Sequence, residues 1–214
     1  VENVGSPLYE SCDYVISTVG GGYYFWYAVT FRFAKNACQF DQYDKLYREI
    51  VNMPQNVVEI YKTADKKAKE YAEEYCDEPI TYLVGSGNLE DWATCYGMCV
   101  MEEMQWMRTR PISAANFFHG TLEVIERNTP VILIKGEDMT RPEMDRVEKF
   151  VNKISAKVIV FDTKDFALKG ISDEFRGLLS PIMMRSAFQR ISVHLEYYRR
   201  HPLAIRRYYR KLDY

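Results

Sequence analysis

Two side chains able to move protons at neutral pH, the carboxylate of Glu103 and the imidazole of His119, stand 16 residues apart. Glu103 falls in the last turns of an apolar helix begun near Glu90. His119 sits just before Gly120, where Phe117-Phe118-His119-Gly120 opens a further helix. A helix–strand–helix turn between them would bring acid and base to one cleft. Each residue also has a plain structural reading. Glu103, beside Glu102, fits a solvated helix face, and His119 alone fits a hydrogen-bonded structural histidine.

A second candidate is Gly85-Ser86-Gly87-Asn88, between the apolar run Ile80–Val84 and a helix opened by Glu90-Asp91. Such a strand–glycine–helix unit is where α/β folds bind ligands, at the carboxyl end of a strand and facing a helix N-terminus. It reads equally as a tight turn. Gly20-Gly21-Gly22 is either a phosphate-cradling turn or a flexible joint, and it lacks the hydroxyls and lysine of a specific phosphate loop. His194 and His201, seven apart in a helical stretch, lack a third ligand and read as surface or interface residues. Cys95 and Cys99 lie four apart, but no histidine or further cysteine pair joins them, so no metal site is read.

Those groups must be positioned by an ordinary globular chain: 214 residues, 47% hydrophobic, 27% charged and a net charge of −2. That balance gives no reason to expect nucleic acid. The basic cluster Arg199, Arg200, Arg206, Arg207, Arg210 and Lys211, interleaved with tyrosines, reads as a tail on an acidic surface rather than a nucleic-acid strip. Five cysteines, Cys12, Cys38, Cys76, Cys95 and Cys99, read as reduced, mostly buried thiols. No run is long and apolar enough to span a bilayer and no signal peptide is evident, so a cytoplasmic protein is expected.

Along the chain, a strand is expected over Tyr14–Thr18 and a helix from about Tyr23 to Cys38. Apolar residues at three- and four-residue steps from Leu46 to Tyr75 mark two helices divided near Met53 by Pro54. Val131–Ile134 and Val158–Phe161 read as buried strands. Between them Pro142–Ile154 reads as a helix with Met144, Val147, Phe150, Val151 and Ile154 inward and Thr140 as N-cap. A last helix is expected from about Pro181 to His201, with Met183 and Met184 as core filler. The alternation implies an α/β fold, a parallel sheet with helices on both faces.

The run ANFFHGTLEVIE, with Glu103 sixteen residues before His119, resembles the histidine–glycine segment of sugar isomerase (SIS) domains. The likeness extends over most of the chain, through SPLYESCDYVIS, VGSG, MEEMQW and HPLAIRRYYRKLDY, and is nearest to the fructosamine-6-phosphate deglycases of the fructoselysine type. It implies a three-layer α/β/α SIS domain, with residues 1–42 as the closing strand and helix of a truncated first SIS half, 43–79 as a helical bridge and 80–214 as a second SIS domain with its tail. It implies Glu103 as general base and His119 as general acid and ring-opener. Gly85, Ser86, Gly87, Asn116 and Arg207 are the expected substrate contacts. No cofactor and no metal are implied. The expected substrate is a phosphorylated sugar-amine such as fructoselysine 6-phosphate, and the expected state is a homodimer or higher homo-oligomer, with the histidine serving the neighbouring subunit's site. The alternatives are a sugar-phosphate isomerase, the isomerase domain of a glucosamine-6-phosphate synthase, or a non-catalytic sugar-phosphate sensor. Asn116 stands where these families carry Glu and Thr121 where they carry Pro, which bears on fine substrate recognition.

Overall fold

The computed structural model describes residues 4–16 and 22–213. The chain divides into two compact units, Val1–Val51 and Asn52–Tyr214. In the first, α1 (Pro7–Glu10) is capped by Ser6, whose hydroxyl accepts from the Tyr9 amide at 3.2 Å. It is followed by α2 (Gly22–Asn36) and α3 (Tyr43–Ile50). The strand expected over Tyr14–Thr18 and the turn at Gly20-Gly21 run outside the described residues, and Tyr14–Ile16 carry no regular structure.

The second unit opens with α4 (Met53–Tyr75) and then alternates strand and helix: β1 (Thr81–Gly85), α5 (Glu90–Cys95), β2 (Thr109–Ser113), α6 (Ala114–Phe117), β3 (Val131–Lys135), α7 (Arg141–Ile154), β4 (Val158–Asp162) and α8 (Arg176–Tyr198). All strand pairings are parallel, in the order β2-β1-β3-β4. Side chains alternate between faces along each strand. Tyr82, Val84, Val131 and Leu133 therefore pack with Phe117 of α6 and with Met144, Val147 and Val151 of α7. On the opposite face lie Leu83, Ile132, Ile134 and Phe161, all buried. There Phe161 meets Phe188 of α8 at 5.0 Å between ring centres, and the Tyr71 hydroxyl of α4 shares a 3.3 Å hydrogen bond with Thr81. The result is the expected three-layer α/β/α domain, each large aliphatic chain contributing about 1.5–3 kcal/mol on burial.

Several local expectations are corrected. The strand β4 is an edge strand, so Val158, Ile159 and Val160 are only half-buried. Ile154, at the last turn of α7, is 41% exposed rather than inward. Thr140 occupies the N-cap position of α7 but makes no side-chain cap; its hydroxyl turns to Ser86 at 2.9 Å and to Asp138. Of the five free thiols, Cys12, Cys38 and Cys95 are exposed, Cys99 is half-buried and only Cys76 is buried. Met183 and Met184 are fully buried, as expected.

The last helix starts at Arg176, five residues before Pro181, which lies inside it. Proline has no N–H and leaves the carbonyl four residues earlier without its helical donor. Here that carbonyl belongs to Gly177, and the Asn88 side-chain amide donates to it at 2.7 Å. The helix also ends at Tyr198, so His194 and His201 do not share a helix face. His194 contacts Asp65 of α4 at 2.9 Å, whereas the His201 ring packs edge-on to Trp106.

Candidate active site

The helix α5 runs on into a π-helical stretch, Tyr96–Glu102, of wider i→i+5 turns: the Glu103 amide bonds to Met98 O and the Gln105 amide to Val100 O, both at 3.0 Å. Such π-turns are uncommon and recur at functional sites. Gly97 lets this segment approach β2, since a Cβ there would stand 2.8 Å from Pro111 Cγ. Trp106, at φ 55°, ends the helix. The two adjacent glutamates then part company. Glu102 accepts from the Thr109 hydroxyl at 2.7 Å, while Glu103 accepts from Arg206 Nε, also at 2.7 Å. Glu103 lines a cleft of about 650 Å³ with Trp106, Met107, Arg206, Arg207 and Tyr208. The tail thus reaches this cleft, and the Arg207 guanidinium sits 4.3 Å from the centre of the Trp106 ring.

His119 is placed by β2 and α6. Ser113 ends the strand and caps the helix, its hydroxyl accepting from the Asn116 amide at 3.2 Å. The helix is one turn long and stops at Phe117, so the expected helix through Phe117–Gly120 is replaced by a turn closed by His119 N to Asn116 O at 3.0 Å. His119 is exposed, and among the described residues its ring has no hydrogen bond or ion pair, contrary to the structural-histidine reading. With Asn116, Thr121, Tyr82 and Arg110 it lines a second cleft of about 350 Å³. The fold thus brings Glu103 to Arg207 and Asn116 to His119, but the two clefts share no lining residue.

The third group, Gly85, Ser86 and Gly87, joins neither cleft. Its loop is closed from within by Asp138, whose carboxylate accepts from the Asn88 amide at 3.0 Å and the Thr140 amide at 2.8 Å. Ser86 bonds to Thr140, and Gly87 adopts φ 52°, with room for no Cβ beside Asp138. Gly87→Ala should therefore cost about 1–3 kcal/mol of stability by urea unfolding, the penalty of a left-handed residue with a steric clash. Sequence reasoning singled out Arg207 but neither Arg206 nor Arg110. Arg206 lies in an irregular segment where no periodicity distinguishes neighbours, and Arg110 lies in a strand whose polar composition hid it.

No protein-family model matches the chain. Among curated proteins, it is 28% identical to the fructosamine deglycase FrlB of Bacillus subtilis, across 98% of this chain and 66% of that protein. It is 26% identical to the fructoselysine 6-phosphate deglycase of Escherichia coli, across 83% of this chain and 50% of that one. The chain thus spans between half and two thirds of the length of these relatives. A solved Bacillus subtilis structure described as a phosphosugar isomerase superposes on all of this chain and 67% of its own, with a TM-score of 0.94 at 27% identity. By its parallel α/β/α architecture the chain has the fold of the sugar isomerase (SIS) domains, and by these similarities fructosamine and fructoselysine 6-phosphate deglycases are among its relatives.

Proposed function

We propose that this chain carries the acid/base half of a deglycase that splits a fructosamine 6-phosphate into glucose 6-phosphate and a free amine. The observation that carries the reading is the pairing of Glu103 with an open cleft and of His119 with another, each side chain presented by a strand end or helix end of the same SIS domain. The names of the curated relatives point to the same substrate class.

In this reading His119 moves a proton at the ring oxygen to open the sugar, and Glu103 removes a proton from C1 of the open ketosamine. The enaminol so formed takes a proton at C2 and becomes an imine at C1. Water adds to that imine, expelling the amine and leaving the aldehyde of glucose 6-phosphate. Each proton transfer is of the kind that contributes about 10²- to 10⁴-fold. Because Glu103 and His119 line different clefts, a complete site takes Glu103 from one protomer and His119 from another in a homo-oligomer. Asn116 and Arg207 are the proposed substrate contacts beside them. The loop Gly85–Gly87, closed by Asp138 through the Asn88 amide and by Ser86 through Thr140, serves mainly to fix the end of β1. Within the SIS pattern, residues 1–42 close a first half, 43–79 bridge, and 80–214 form the second.

The test is to follow glucose 6-phosphate and free lysine together from fructoselysine 6-phosphate. Equal release of both is expected. Interconversion of aldose and ketose phosphates without amine release would put the chain with the isomerases instead, and binding of sugar phosphate without any turnover would make it a sensor.

A further inference from the structure

Among the ion pairs of the second unit, that between Arg206 and Glu103 joins the proposed base to the irregular segment after α8. Arg206 Nε donates to Glu103 Oε1 at 2.7 Å, with the arginine side chain 17% and the glutamate side chain 35% exposed. The guanidinium is not free to swing. Its Nη1 also donates to the carbonyls of Leu203 and Ile205, at 2.6 and 3.0 Å. Leu203 in turn is tied to α8, its amide donating to Glu196 at 3.0 Å. One residue on, Arg207 lies against Trp106. His201, at the start of the segment, accepts at its carbonyl from the Gln105 side chain at 2.9 Å. The segment, which itself lines the Glu103 cleft, is therefore fastened to α8 through Glu196 and to the stretch Glu103–Trp106 opposite it.

A carboxylate at a helix end has three side-chain torsions to fix before it can act as a base, and positioning of reacting groups governs rate steeply. The backbone of Glu103 is held by the π-turn, and among the described residues the hydrogen-bond partner of its carboxylate is Arg206. With Oε1 taken by that nitrogen, Oε2 is the oxygen left to face the cleft.

We infer that Arg206 is the positioning residue of the proposed base, fixing Glu103 by charge and hydrogen bond so that a single oxygen meets substrate, and that the segment Leu203–Arg207 is part of the catalytic apparatus. The inference rests on the reading of Glu103 as base. It also makes Arg206 distinct from its neighbour Arg207: the first holds the enzyme's own carboxylate, the second faces the cleft with its guanidinium stacked on an indole.

The experiment compares Arg206→Lys and Arg206→Gln in the whole protein, with Glu103→Gln alongside, reading kcat, KM and thermal midpoint. Lys and Gln both keep an unbranched stem, so packing is retained in each, but only Lys keeps the charge. Arg206→Gln should lower kcat by about 10- to 100-fold with KM within about twofold, and Arg206→Lys should recover most of that loss. Equal behaviour of the two variants would overturn the inference, as would a rise in KM with kcat unchanged, which would make Arg206 a substrate contact. If Arg206→Gln unfolds, the inference stands or falls on Arg206→Lys, combined with rescue of Arg206→Ala by guanidinium but not by potassium. An active Glu103→Gln would instead remove the reading beneath it, whatever the Arg206 variants do.

Discussion

Glu103→Gln and His119→Asn should each reduce amine release by at least about 10²-fold while leaving stability within about 0.5 kcal/mol of wild type. The two effects separate because both side chains stand at clefts rather than in the core: Glu103 is partly exposed, and His119 is exposed without a bonded partner among the described residues. Gln also keeps an oxygen able to accept from Arg206. The separate clefts add a sharper expectation. If each site draws Glu103 and His119 from different protomers, unfolding the two inactive variants together and refolding them as a mixture should regenerate activity. For a dimer of twofold symmetry the yield is about a quarter of wild type. Recovery of nothing from well-folded mixed dimers would mean that both groups act within one chain.

Replacing Arg176 by Ala should cost about 3–5 kcal/mol in urea unfolding, the largest stability effect expected of any single charged residue here. The guanidinium at the start of α8 takes both oxygens of Glu137, at 2.9 and 2.8 Å, and donates to the carbonyls of Thr163 and Phe166, each at 3.0 Å. Both side chains are 14% exposed, so its loss strands a carboxylate and two carbonyls where water has little access. Replacing both partners by apolar residues of similar volume should cost much less, because no charge is then left unpaired. The pair also sets an acid limb. Burial pushes the Glu137 carboxyl up, but the two hydrogen bonds from Arg176 and its charge outweigh it and hold the group below its ordinary value. Asp162, bound by Arg141, behaves likewise. A folded-state value below the unfolded one means that the unfolded chain binds protons first. The stabilisation is complete above the unfolded carboxylate range near pH 4 and is lost as pH falls through the folded values. Glu137→Gln should accordingly flatten the fall in stability on acidification, measured by urea midpoints across pH 2–6.

The parts of the fold that could be read from residue order are those with an uninterrupted physical signature. The runs TYLVG and VILIK are central strands because both faces are covered, and nothing polar breaks them. The strand β2, TRPIS, has no such signature: an arginine and a proline are tolerated because it is an edge. At α8, Pro181 has two local meanings, a first-turn residue or an interior break, and it is Asn88, 89 residues before the Gly177 carbonyl it bonds, that makes the interior position tolerable. The π-turn before Glu103 depends on Gly97 meeting Pro111, again a long-range contact. The same holds at the candidate site. Glu103 and His119 were legible through their types and spacing, whereas the ion pair to Arg206 spans 103 residues and has no local trace.

Pro111 has one more consequence. The Arg108 carbonyl accepts from the Thr81 amide of β1, so alternate residues from Arg108 point their backbone groups inward, and Thr109, Pro111 and Ser113 point theirs outward. The middle donor of the sheet's outer margin is thus removed by covalent chemistry. A stray strand approaching β2 finds a broken template, and self-templated stacking of one chain on another is discouraged at this edge. Pro111→Val would restore a continuous row of donors beside an apolar side chain, turning a protected margin into a seed for aggregation during refolding at high concentration.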